Sequence, residues 1–138
     1  DFINHYPAAL SGGMRQRVAL MRTLAMHHDV MLLDEPFGAL DSQTRLSMQQ
    51  WLLSVWEKEK RTIVFVTHDI DEAIFLADRV VVMTPRPGRI HEIIDVPIER
   101  PRPVSSLTRP EFVALKQRIL GTIYQNASPA NEETAPHA

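Results

Sequence analysis

The sequence predicts an α/β fold in which a parallel sheet is joined by crossover helices. Three apolar runs, at residues 30–33, 63–66 and 80–83, have the length of strands. Each run is unbroken by polar residues, which is typical of strands buried on both faces of a parallel sheet. Segments with helical spacing of apolar residues lie between the runs. The order strand, helix, strand, helix, strand favours parallel pairing with a helix at each crossover.

The first predicted element is an amphipathic helix that follows an irregular segment. Residues 1–10 contain Pro7, which disfavours helix before it. Ser11 is a good N-cap because its hydroxyl can accept from a free amide of the first turn. Three apolar residues then recur at helical spacing: Val18, Met21 and Ala25.

The first strand, "VMLL", leads into a turn and a second helix. Two carboxylates and Pro36 stop the strand, and the turn "GALDSQT" follows. Either Asp41 or Ser42 can cap a helix over residues 43–59. One side of that helix carries four apolar residues: Met48, Leu52, Val55 and Trp56.

The second half of the chain continues the alternation. A strand in "RTIVFVTHD" is followed by the short helix "DIDEAIFLA" and by a third strand, "RVVVMTP". The turn "PRPGRI" then leads to "RIHEIIDVPI", which alternates like a more exposed strand. Residues 97–110 are rich in proline and are expected to be extended.

The last predicted helix is "PEFVALKQRILGTIYQ", which is amphipathic. Its apolar side carries Phe112, Leu115, Ile119 and Ile123. The residues after it are small and polar, and they are expected to form a disordered tail. We therefore expect three parts: residues 1–96, a connector with a helix at 97–125, and a tail at 126–138.

Composition excludes several classes of protein. The 138 residues carry a formal net charge of -2, and basic residues are scattered rather than grouped. A nucleic-acid-binding protein would show a basic patch, so no nucleic-acid partner is expected. The chain has no cysteine, which excludes disulfides and cysteine metal sites. Its apolar runs are too short to span a membrane.

Polar side chains follow the first two strands where each strand ends. Asp34 and Glu35 follow the first strand, and His68 follows the second. Ligands of parallel sheets bind beyond the carboxyl ends of the strands. There an Asp can hold Mg²⁺ against nucleotide phosphates, a Glu can polarise an attacking water, and a His can bind a phosphate. Solvated carboxylates and a structural histidine are the alternative interpretation.

The tripeptide "SGG" at residues 11–13 is the third candidate feature. Glycine lets a ligand approach the backbone closely, the serine hydroxyl can donate, and a helix N-terminus favours an anion. An ordinary N-cap preceding two glycines is the simpler alternative. Three phosphate-handling features in one α/β pattern nevertheless favour a nucleotide site.

Four motifs, in this order, resemble the ATP-binding-cassette ATPases, the motor subunits of ABC transporters. They are "LSGGMRQR" (Leu10–Arg17), "VMLLDEP" (Val30–Pro36), "GALD" (Gly38–Asp41) and "VTHD" (Val66–Asp69). They are similar to the signature motif, Walker B, the D-loop and the switch histidine. The resemblance spans roughly residues 5–95 and implies the second half of a P-loop NTPase domain of the RecA-like type. The segment "THDIDEAIFLADRVVVMTPRPGRI" is most similar to importers of nitrate, sulfonate and taurine.

The resemblance also implies roles, cofactors and partners. Glu35 would be the general base and His68 would contact the γ-phosphate of ATP, while Asp34 would hold Mg²⁺. Two identical subunits would sandwich ATP, and the signature corner of each, Ser11, Gly12 and Gly13, would complete the partner's site. Asp41 would lie at the seam of that homodimer. The complete subunit would lie on the cytoplasmic face of the membrane and contact a transmembrane permease. A solute-binding protein would deliver the solute to that permease.

One element of the family pattern is missing from the 138 residues. None of the five glycines is followed by Lys, so the sequence contains no GxxxxGK[ST] phosphate loop. We therefore expect a fragment that lacks the N-terminal half of the domain and is inactive by itself. The alternatives are a non-catalytic module that lends its signature motif to a partner ATPase or permease, and an ABC ATPase of translation or DNA repair.

Overall fold

The computed structural model describes residues 6–26 and 28–127. The chain forms two compact units, one extending to Asp69 and the other beginning at Ile70. We call them unit 1 and unit 2. In the described residues no helix is both long and apolar enough to cross a membrane.

Unit 1 contains two helices and a parallel pair of strands. A 3₁₀ turn at Pro7–Ala9 precedes helix α1 (Gly12–Ala25), and strand β1 is Val30–Asp34. Helix α2 (Ser42–Glu59) connects β1 to strand β2 (Thr62–Val66). The strands pair in parallel, with Leu32 opposite Val64, so the predicted crossover through a helix is confirmed.

Local capping sets the N-terminus of both helices in unit 1 and the C-terminus of α2. Ser11 Oγ accepts from the Met14 amide at 3.2 Å, as the N-cap prediction requires. Asp41 Oδ1 accepts from the Thr44 amide at 3.0 Å and begins α2. Lys60 ends α2 in the left-handed conformation, at φ 52°, and its amide donates to the Trp56 carbonyl.

β1 and β2 are covered on only one face in the described part of the chain. Met31 is buried, but four apolar side chains of the opposite face are exposed. They are Val30, Leu32, Val64 and Val66, and Leu32 is 74% exposed. An unbroken apolar run does not show whether both faces are covered, because that depends on neighbours distant in sequence. We call these four side chains the open face of unit 1.

The helices of unit 1 also differ in which side they bury. Met48 and Leu52 of α2 are buried, in agreement with the predicted apolar side. On α1, however, Val18 and Met21 are about half exposed, whereas Leu20 is buried. The apolar spacing therefore predicted the helix correctly, but not the direction of its burial.

Unit 2 contains a helix, an antiparallel hairpin and a C-terminal helix. Helix α3 is Ile70–Leu76, and strands β3 and β4 are Arg79–Met83 and Ile90–Asp95. A 3₁₀ helix at Val104–Thr108 precedes helix α4 (Pro110–Ala127).

The prediction that the third strand continues the parallel sheet is wrong among the described residues. β3 pairs antiparallel with β4, with Val80 opposite Ile94, and the pair β1–β2 forms a separate sheet. The short turn between the strands explains this pairing because it lets them meet locally. The turn is fixed at Thr84, whose amide donates to the Arg89 carbonyl at 2.9 Å.

The core of unit 2 lies between α3, the hairpin and α4. Phe112, Leu115 and Ile119 of α4 are buried as predicted, while Ile123 is 40% exposed. Other large side chains of this core include Ile74, Phe75 and Ile94. Because α4 continues to Ala127, it extends past the predicted boundary at residue 125. The predicted tail falls mostly on residues 128–138, outside the described residues, and the boundary at residue 96 stays a prediction.

The proline-rich segment before α4 is anchored by a buried arginine. The Arg102 guanidinium donates to the carbonyls of Ile74, Phe75 and Ala77 at the end of α3. Its Nε donates to the Ile98 carbonyl at 2.9 Å. Burial lowers the pKa of Arg102 to about 10, so it remains charged at neutral pH. A cation suits the carbonyls of a helix C-terminus, which carry partial negative charge.

Candidate functional site

The ends of β1 and β2 bring Glu35 and His68 together. Asp34 pairs with Val66 at the last position of the parallel ladder. The Glu35 amide donates to the Val66 carbonyl at 2.9 Å, which ties the strands one residue further. His68 Nδ1 lies 2.9 Å from Glu35 Oε1. The prediction that the polar residues at the two strand ends meet is therefore confirmed for this pair.

The backbone of Glu35 has an unusual conformation. Its φ is 44°, in the left-handed region that side chains other than glycine seldom adopt. The Gly38 amide donates to the Glu35 carbonyl at 3.2 Å, closing a turn around it. Strained residues of this kind are concentrated at functional sites. The conformation redirects the chain at Glu35, immediately after the strand.

The Glu35–His68 pair is open to solvent. The side chain of Glu35 is 40% exposed and that of His68 is 82% exposed. A carboxylate in this setting can accept a proton from water, and a neighbouring imidazole can donate to an anion. Both side chains are therefore accessible to a bound molecule, and their catalytic roles stay predictions.

Asp34, the predicted metal ligand, is also exposed. No group of three or more His, Asp or Glu side chains capable of holding a metal occurs in the described residues. Magnesium does not need such a group, because it is commonly held by one or two carboxylates together with waters and substrate phosphates. Asp34 therefore fits a magnesium ion that arrives with a phosphate ligand.

The serine–glycine corner consists of Ser11, Gly12 and Gly13, at the N-terminus of α1. Ser11 and Gly12 are exposed, while Gly13 is partly buried. The first turn of α1 carries no acidic residue, so its partial positive charge is not offset locally. These properties are compatible with an anion-binding corner, and that role stays a prediction.

Contacts with later segments hold the corner in place. The side-chain amide of Gln16 donates to the Pro36 carbonyl, directly after Glu35. Arg17 Nε lies 3.0 Å from Met48 Sδ of α2. Gln16 was not among the predicted site residues, although its position one helical turn after the corner was a usable signal.

Asp41 acts as the N-cap of α2. Hydrogen bonds from the Thr44 hydroxyl and amide lower the pKa of Asp41 below its ordinary value. The loop around Asp41 is tied to β2's end by Arg45, which donates to the Leu40 carbonyl at 2.9 Å and lies 3.4 Å from Asp69. The structure thus gives Asp41 a role within the chain, while its predicted place at a dimer seam stays a prediction.

Comparison with known proteins identifies related sequences. A family model described as "ABC transporter" matches residues 1–38. An uncharacterized ABC transporter ATP-binding protein of Methanocaldococcus jannaschii is 53% identical over 122 residues, which are 88% of this chain and 45% of that protein. The aliphatic sulfonates import ATP-binding protein SsuB of Bacillus cereus is 49% identical over 119 residues, 86% of this chain and 46% of that protein. The chain spans about half the length of these curated relatives.

Solved structures show the same likeness. A dimeric ATP-binding cassette in a post-hydrolysis state, bound to ADP and Pi, has a TM-score of 0.57 and 37% sequence identity. The match covers 71% of this chain and 41% of that chain. The described fold is thus similar to that of an ATP-binding cassette. The candidate site residues all belong to unit 1, which contains the parallel strands.

Proposed function

The chain belongs to the ATP-binding proteins of ABC transporters, and from this premise we propose that it is part of a subunit that hydrolyses ATP to drive an importer. The contact between Glu35 and His68 carries the proposal. It joins the two residue types that ATP hydrolysis needs, a base for water and a donor for phosphate.

In this proposal Glu35 is the general base. Its carboxylate is held by His68 on one oxygen and is exposed enough to reach a water. His68 also serves as a donor to the terminal phosphate through Nε2; to donate to Glu35 and to the phosphate together, both of its ring nitrogens must carry a proton. The left-handed backbone conformation of Glu35, directly after β1, sets the orientation of its side chain.

Magnesium would be held by Asp34. An exposed carboxylate at the end of a strand suits an ion that keeps waters and binds phosphate oxygens. The ion would neutralise phosphate charge that otherwise repels the two neighbouring carboxylates, Asp34 and Glu35.

The serine–glycine corner would bind the ATP held by a second copy of the subunit. Its exposed helix N-terminus, without an acidic residue in the first turn, supports this role for Ser11, Gly12 and Gly13. The related cassette of known structure is dimeric, which supports pairing of two subunits. Asp41 would then lie at the interface between them.

We propose that the solute is nitrate, a sulfonate or a taurine-like solute. The similarity to an aliphatic sulfonates import protein supports this class. The proposal implies a transmembrane permease as partner, a position at the cytoplasmic face of the membrane, and a solute-binding protein that delivers the solute.

The test is ATP turnover by the full-length protein with and without Glu35→Gln. We expect Glu35→Gln to lower turnover by about 10²–10³-fold while ATP-dependent subunit association is retained, because the base is lost and the shape is kept. Glu57→Gln, at an exposed glutamate of α2, is the matched control and should leave turnover unchanged.

Two results would contradict the proposal. Equal turnover by Glu35→Gln and the wild type would remove Glu35 from catalysis. Association with ATP but no turnover in the wild type would instead favour the non-catalytic module.

A further inference from the structure

The two glycines of the serine–glycine corner occupy different surroundings. A Cβ placed on Gly12 would have no atom within 4 Å, whereas a Cβ on Gly13 would lie 2.7 Å from Thr44 Cγ2. Neither glycine has a positive φ, so the backbone would accept alanine at both positions. Space, and not backbone freedom, therefore requires glycine at residue 13.

Thr44 cannot easily move away from Gly13. Its amide donates to Asp41 Oδ1 at 3.0 Å, which holds the backbone of residue 44 in the first turn of α2. Threonine is branched at Cβ, and a helical backbone restricts its χ1 angle, so the methyl group has few positions to which it can turn.

The first turns of α1 are likewise held in position. Gln16 binds the Pro36 carbonyl, and Arg17 contacts Met48 of α2. A side chain added at residue 13 would therefore meet a fixed methyl group without an easy way to slide α1 outward. An unbroken series of contacts thus joins Gly13 to Thr44 and Thr44 to Asp41.

We propose that Thr44 is a positioning residue that sets the distance between the serine–glycine corner and the loop of Asp41 within one subunit. Gly13 is glycine so that this contact can form. The inference rests on the proposed function, because the distance between the two segments matters for subunit association only if both segments face the second subunit. A change at the corner would then reach Asp41 through Thr44 without passing through bound nucleotide.

The experiment compares four variants of the full-length protein: Gly12→Ala, Gly13→Ala, Thr44→Ser and the double variant Gly13→Ala/Thr44→Ser. Serine keeps the amide that binds Asp41, keeps the hydroxyl group, and removes only Cγ2. The first readout is hydrogen exchange of the residue 44 amide without nucleotide. The second is ATP-dependent subunit association.

We expect Gly13→Ala to speed exchange of the residue 44 amide by about fivefold, the usual effect of losing a helix cap. The double variant should restore the slow exchange of the wild type, and Gly12→Ala should not change it. Association should weaken in Gly13→Ala and recover in the double variant. If Gly13→Ala unfolds the protein, refolding by the added Thr44→Ser change is the expected rescue.

The inference is overturned if Thr44→Ser fails to rescue Gly13→Ala, or if Gly12→Ala and Gly13→Ala speed the exchange equally. These outcomes are separate from the proposed function. If the wild type shows no ATP-dependent association, the proposed function fails, while the exchange rates still decide whether Thr44 positions Asp41.

Discussion

Units 1 and 2 both contain a two-stranded sheet and two helices, yet they place their polar groups differently. In unit 1 the polar side chains of interest, Asp34, Glu35 and His68, are exposed at strand ends. In unit 2 the side chain of Arg102 is 5% exposed and donates hydrogen bonds to backbone carbonyls. The candidate site residues of unit 1 are exposed to solvent, whereas Arg102 of unit 2 is buried and binds backbone carbonyls of its own unit.

The difference separates chemistry from stability. Exposed groups at strand ends can meet a ligand but add little to folding, since surface ion pairs contribute at most about 1 kcal/mol. A buried cation that binds the carbonyls at the end of a helix stabilises the fold but is out of reach of a ligand. Substitutions at the polar groups of unit 1 should therefore change turnover, and those in unit 2 should change the free energy of unfolding.

The largest expected effect on stability comes from Arg102. Arg102→Met should lower the free energy of unfolding by about 4 kcal/mol, because several buried carbonyls lose a charged donor. Arg102→Lys should cost about half as much, since an ammonium can reach fewer of them. Hydrogen exchange of the α3 and α4 amides measures both losses.

The control for Arg102 is the exposed Arg109, where substitution to Met should change exchange very little. Equal losses for Arg102→Met and Arg109→Met would show that the buried arginine does not stabilise unit 2. The separation of roles between the two units would then fail.

The next effect tests the open face of unit 1. Met48 is fully buried, so Met48→Ala should cost about 3 kcal/mol through lost burial and a cavity. Leu32 is 74% exposed, so Leu32→Ala should cost less than about 1 kcal/mol. Urea denaturation of the 138-residue chain measures both. A cost for Leu32→Ala as large as that for Met48→Ala would show that the face is covered in solution.

Several features of the site were predictable because they are local in sequence. The caps at Ser11 and Asp41 follow from side chains that bind amides three residues away. The meeting of Glu35 with His68 follows from parallel pairing, which places the ends of successive strands together. Here sequence and structure agree because few contacts are involved.

Other features depend on distant neighbours and were not predictable. The partner of β3 could not be read from its apolar run, because the same residues suit parallel and antiparallel sheets. The approach of Gly13 to Thr44 crosses 31 positions of sequence and exists only once α1 and α2 pack. The buried role of Arg102 was hidden because arginine is usually a surface residue.

The smallest expected effect compares one carboxylate in each unit. Hydrogen bonding to Thr44 lowers the pKa of Asp41 in unit 1, and hydrogen bonding to Arg118 lowers the pKa of Glu92 in unit 2. A lowered pKa in the folded state means that each contact stabilises above the ordinary carboxyl pKa and is lost as pH falls through the lowered value. Asp41→Asn should therefore remove this acid sensitivity from the α2 amides alone, and Glu92→Gln from the α4 amides alone. Protection of the α2 and α4 amides from hydrogen exchange, followed from pH 6 to about pH 3, measures this acid sensitivity. If either variant changed both helices, the two units would not respond to acid independently.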